Sequence, residues 1–75
     1  MINLQPGERY RLRSEILGIV LADQPRTTVQ IPKGAVVTVS GKPVDGERMV
    51  DIEWNGKGVM VFAQDLRERA ELVHP

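Results

Sequence analysis

The sequence predicts a small all-β fold, and three observations carry that prediction. Residues Met49–Phe62 alternate apolar and polar side chains on either side of Asn55-Gly56. Asn-Gly between alternating runs is the strongest short-range hairpin signal, because both residues tolerate the positive φ of a type I′ turn. Further short β-branched runs recur along the chain, each bounded by Gly and Pro, which is the punctuation of a strand-rich domain.

The hairpin pattern checks itself. With Asn55 and Gly56 as the two loop residues, Trp54 faces Lys57, Ile52 faces Val59 and Val50 faces Val61. The β-branched residues then share one face, which should be the core. Met49, Asp51 and Glu53 share the other face with Gly58, Met60 and Phe62. A four-residue loop moves each partner by two and keeps the same faces.

Upstream, Pro6-Gly7 closes an N-terminal tail of residues 1–7. From Glu8 to Leu17, Tyr10, Leu12, Ser14 and Ile16 point one way, and Arg9, Arg11, Arg13 and Glu15 the other. That is a half-buried strand with period two. Gly18 breaks or bulges it, and Ile19-Val20-Leu21 extends it to a turn at Ala22-Asp23-Gln24-Pro25. A helix over Arg9–Leu21 is the weaker alternative, since it would carry Gly18 near its centre among β-branched residues. Arg26–Ile31 reads as a short strand with Val29 and Ile31 toward the core. Pro32-Lys33-Gly34 is a turn, with Pro presetting φ at its second position. Ala35–Ser40 is a Val-rich strand, and Gly41–Glu47 is the longest polar loop. Ala63–Val73 admits two readings. Leu66, Ala70 and Val73 have helical spacing, with Asp65–Arg69 and Arg67–Glu71 as i,i+4 ion pairs. A single 3₁₀ turn followed by a strand at Ala70–Val73 is the other.

Seventy-five residues make one domain, 1–75, with residues 74–75 as a second tail. A chain this short buries only about 60–65% of its unfolded surface. It has no cysteine, so neither disulfides nor thiolate metal sites support it. Ten basic and ten acidic residues cancel, which argues against strong non-specific attraction to nucleic acid. The N-terminus lacks a basic segment followed by an apolar run, so no signal peptide is expected. No apolar run approaches the length of a membrane span. A cytoplasmic protein is the expectation.

The order of features resembles an SH3-like barrel from about Tyr10 to Val73. A long excursion follows the first strand, at Gly18–Thr28. Lys33-Gly34 precedes the Val-rich strand, and a variable loop, Gly41–Glu47, precedes the tight hairpin at Asn55-Gly56. Phe62-Ala63-Gln64-Asp65-Leu66 falls where such barrels place a 3₁₀ turn. The resemblance implies a five-stranded SH3-like barrel with a short 3₁₀ turn near the C-terminus. Eukaryotic SH3 domains grip polyproline with aromatics. Here Ile19–Arg26 holds no aromatic, Asn55 follows Trp54, and Leu66 stands where the last aromatic would be. The chain is more similar to small bacterial SH3-like proteins of unknown role, which implies a protein-interaction or self-association module. Val59-Met60-Val61-Phe62 also resembles the pore strand of plasmid-borne type II dihydrofolate reductases. Met60 and Phe62 replace the polar Gln and Tyr of that strand, so the activity is not expected.

Residues that could carry chemistry are few. His74 is the only histidine and sits beside the last residue. Asp51 and Glu53 share a strand face, which is the geometry of paired carboxylates and equally of a solvated sheet surface. No nucleophile has a partner base, and no phosphate loop or zinc spacing is present. The chain is therefore expected to be non-enzymatic, with no cofactor, metal or small-molecule substrate. Two surfaces stand out. Met49, Met60 and Phe62 form an apolar group opposite the core row, a candidate surface for a protein partner or a homo-oligomer. Arg9, Arg11 and Arg13 form a stripe that could meet the phosphates of a nucleic acid, although no aromatic lies beside it for base stacking.

Overall fold

The computed structural model describes residues 4–41 and 48–74. Its elements are β1 (Arg9–Leu12), β2 (Ile16–Val20), β3 (Thr27–Ile31), β4 (Val36–Val39), β5 (Met49–Trp54), β6 (Lys57–Phe62), α1 (Ala63–Arg69) and β7 (Ala70–Leu72). The strands form one antiparallel sheet in the order β3-β2-β6-β5-β4-β1-β7.

Chain connectivity forces this sheet to roll. β1 is next to one end of the order and β2 next to the other. Yet Leu12 and Ile16 are only four residue steps apart, a reach of at most about 14 Å. The three strands between them, β6, β5 and β4, cannot lie flat across that distance. The two ends curl toward each other, but β3 and β7 do not pair, so the roll is unclosed.

The β5–β6 hairpin has the expected register. Trp54 pairs with Lys57, Ile52 with Val59 and Val50 with Val61. Asn55 has φ 52° and Gly56 has φ 74°, the two positive values that a type I′ turn needs. Val50, Ile52, Val59 and Val61 are fully buried, together with Tyr10, Leu12, Ile31, Val37 and Leu66. Among the described residues no polar or charged side chain joins them apart from the Tyr10 hydroxyl group.

Three expectations need correction. The five-stranded count becomes seven. The stretch read as one strand from Glu8 is two, because the chain leaves β4 for β6 at Arg13–Glu15 rather than bending at Gly18. Ala70–Leu72 supplies the seventh strand by pairing with β1. The 3₁₀ turn is a seven-residue α-helix. Its sequence, AQDLRER, contains only fair to good helix formers. Gln64 Nε2 donates to Glu68 Oε2 at 2.7 Å and Arg69 Nε lies 3.5 Å from Asp65 Oδ1, both at i,i+4 spacing. Both readings of Ala63–Val73 thus hold in part, a helix and then a strand. Lastly, residues 4–7 are not a loose tail. Leu4 is buried in the core, and the Gly7 amide donates to the Val39 carbonyl at 2.7 Å.

Gly18 has a different role from the one expected. It pairs with Val61 in the middle of β2, where β2 presses closely on β6. A Cβ placed there would collide with Val59 Cγ1 and come within 3.3 Å of Val61 Cγ1. Gly18 is the residue that lets the two strands approach. The polar loop expected at Gly41–Glu47 lies, apart from Gly41, outside the described residues.

Candidate functional site

The outer face of β2, β6 and β5 carries a connected apolar surface. Met49 pairs with Phe62 across β5–β6, and Ile19 pairs with Met60 across β2–β6. One step along the β2–β6 register, Leu17 lies level with Phe62. Phe62 is 50% exposed and Leu17 45%, while Met49, Met60 and Ile19 are half-buried. The three residues singled out from the sequence, Met49, Met60 and Phe62, therefore stand together. Leu17 and Ile19 complete the surface. They were legible as alternating residues of a strand, but placing them beside Met60 and Phe62 required knowing that β2 pairs with β6.

The surface has polar borders. On the β3 side Leu17 and Ile19 pair with Gln30 and Thr28. On the opposite side Met60 pairs with Asp51, and Glu53 lies between Gly58 and Thr38. Asp51 and Glu53 do share the outer face, as the alternation requires. Among the described residues no three His, Cys, Asp or Glu side chains gather in a way that could hold a metal ion.

The arginines are arranged differently. Arg9 and Arg11 are exposed on the outer side of β1 and Arg13 follows in the crossing segment. Arg11 lies between Val36 on β4 and Glu71 on β7. Arg13 is turned toward the helix. Its guanidinium donates to the Glu68 carbonyl at 2.8 Å and its amide to the Arg69 carbonyl at 2.7 Å. These bonds satisfy acceptors that a helix C-terminus leaves open. One arginine of the three is thus engaged in holding α1, and a carboxylate stands beside another.

Two clefts flank these surfaces. One of about 280 Å³ lies between the β2–β3 end of the sheet and α1, lined by Glu15, Ile16, Leu17, Gln30, Asp65 and Arg69. The other, about 250 Å³, is lined by Gly7, Glu8, Arg9, Leu72, Val73 and His74. His74 is exposed at its rim. Tyr10, buried in the core, donates its hydroxyl to Oε1 of Glu8, a residue lining that cleft, at 3.2 Å. Its pKa is raised to about 12, first by burial, then by the Glu8 carboxylate and the hydrogen bond to it, against an opposing pull from Arg67. This is the signature of a structural hydroxyl held protonated, unsuited to proton transfer near neutrality.

No protein-family model, curated protein or solved structure matches the chain. Among the described residues no helix is long and apolar enough to cross a membrane.

Proposed function

We propose that the chain is a non-enzymatic, SH3-like binding module whose outer β2–β6–β5 face docks a protein partner. The layout supports the SH3-like reading: a first strand, a long excursion, a Val-rich strand, a tight hairpin, a short helix, and a last strand returning to pair with the first. The observation that carries the function is the contiguity of Leu17, Ile19, Met49, Met60 and Phe62 on one exposed face. An apolar surface of several neighbouring side chains costs solvation free energy unless something covers it. Methionines and a phenylalanine suit such a face, because flexible thioethers and an aromatic ring adapt to a partner's shape.

The test is a pair of outward substitutions, Met60→Glu and Phe62→Lys, followed by affinity capture from the native cells. Partner proteins held by the wild type should be lost from both variants while the fold is kept. Identical partners in all three proteins would refute the reading. The nucleic-acid alternative through Arg9, Arg11 and Arg13 predicts instead an affinity for DNA or RNA that falls steeply with salt.

A further inference from the structure

The two edges of the sheet are not equivalent. At one edge β7 is three residues long and carries Glu71, a short charged edge of the kind that resists pairing. At the other, β3 is five residues long, Thr-Thr-Val-Gln-Ile, with neither charge nor proline inside it. Its guards stand only outside the strand, Pro25-Arg26 before and Pro32-Lys33 after.

The backbone of β3 presents a self-complementary pattern. The Leu21 amide donates to the Gly58 carbonyl, so the odd-numbered residues of β2 direct their backbone groups to β6. The even-numbered ones, Ile16, Gly18 and Val20, therefore face β3, at Ile31, Val29 and Thr27. Antiparallel strands alternate in this way. Thr28 and Gln30 are left with N–H and C=O groups aimed away from the sheet.

We infer that two copies of this chain pair through their β3 edges, antiparallel about a two-fold axis at Val29. Thr28 of each copy faces Gln30 of the other, and all four residues exchange both backbone hydrogen bonds. A two-fold operation maps this edge onto itself with every outward group matched. Charge favours the same arrangement. One step beyond Thr28 on the same face, Arg26 of the second copy comes level with Pro32 and so with Glu15 behind it, the carboxylate of that cleft left over once Asp65 is paired with Arg69. The contact forms twice by symmetry. Net charge does not oppose it, since the ten basic and ten acidic residues of each copy cancel. The inference is independent of the apolar face, which stays open on the joined sheet.

Sedimentation from micromolar to millimolar concentration tests it on three proteins. Gln30→Pro removes an outward N–H and no bond to β2, a change that edge strands accept. It should weaken the wild-type dimer about tenfold or more, since two symmetry-related hydrogen bonds are lost. Met60→Glu should leave the dimer unchanged. Because the chain has no cysteine, Val29→Cys should give a clean disulfide-linked dimer under mild oxidation. Gln30→Cys, displaced two residues from its own copy in this register, should not. If Gln30→Pro fails to fold, the cysteine pair decides alone. A wild type that stays monomeric throughout overturns the inference. So does a dimer broken by Met60→Glu but not by Gln30→Pro, and so does equal cross-linking at positions 29 and 30.

Discussion

The two faces of the β5–β6 hairpin share one backbone and one register, and they obey different rules. On the inner face, Val50, Ile52, Val59 and Val61 are almost wholly removed from solvent. All four are β-branched, stiff at χ1 and shaped for a close-packed layer. On the outer face, Met49 and Phe62 pair, Met60 pairs with Asp51, and Glu53 pairs with Gly58. These side chains are long or absent, flexible, and mixed in polarity. The inner face is constrained by volume and shape, so it specifies the fold. The outer face is free of that constraint, and its apolar members are the ones that call for a partner.

The largest effect is expected where the inner face is opened. Ile52→Ala removes a fully buried side chain between β4 and β6 and leaves a cavity. It should cost about 2–5 kcal/mol, a large part of the stability of a domain this small. Urea unfolding at neutral pH measures it, and a loss below about 1 kcal/mol would mean that the layer is not close-packed. Gly18→Ala tests the same layer by overfilling it. Its new Cβ collides with Val59, which is held by its own strand pairing, and overpacking of this kind costs about 1–3 kcal/mol. The same unfolding titration should rank it next below Ile52→Ala.

Tyr10 sharpens the comparison, because it is the inner residue with a polar tip. The folded chain holds its phenolic proton to about pH 12, whereas the unfolded chain releases it near pH 10. Between those values the folded state binds more protons, so stability falls as pH rises. The contribution is constant below pH 10 and is lost on the way to pH 12. At about 1.4 kcal/mol per unit of pKa, the loss is on the order of 1–3 kcal/mol. The difference between wild type and Tyr10→Phe isolates it from the titration of lysines. The wild-type curve should fall relative to that of Tyr10→Phe above pH 10, and curves that stay parallel to pH 12 would contradict the raised pKa.

The inner face was legible because alternation and an Asn-Gly turn determine register locally. Parity alone placed Tyr10, Leu12, Ile16 and the four hairpin residues inside, and the structure buries all of them, whereas in the Val-rich strand, apolar on both sides near its start, only the structure shows that Val37 and Val39 are the buried pair. What escaped was long-range. The crossing at Arg13–Glu15 carries no Gly or Pro. It is imposed by the need of β1 to pair with β4 and β7 while β2 pairs with β6 and β3. Gly18 looked like a strand breaker and is instead a strand interior whose missing side chain makes room for Val59. The helix at Ala63–Arg69 was balanced against a tighter turn because seven residues are too few for periodicity to decide. Three of the five residues of the candidate surface, Met49, Met60 and Phe62, followed from hairpin parity. Leu17 and Ile19 belong to a strand pairing that no local pattern encodes.

The smallest effect on stability is expected at the outer face, and it is the most informative about function. Met60 is half-buried and flanked by Ile19 and Asp51. Met60→Glu sets a carboxylate beside Asp51 on the same face, and like charges directly opposite on a sheet disfavour pairing by a few tenths of a kcal/mol up to about 1. Met60→Lys places a cation there instead, removes the repulsion and should be near neutral. Both changes interrupt the apolar surface equally. Thermal unfolding should therefore separate the two variants by a few degrees at most, with Lys the more stable, while partner binding falls in both alike. If only Met60→Glu lost its partner, electrostatic repulsion from Asp51 would be the cause, and the apolar character of the face would not be what the partner recognises.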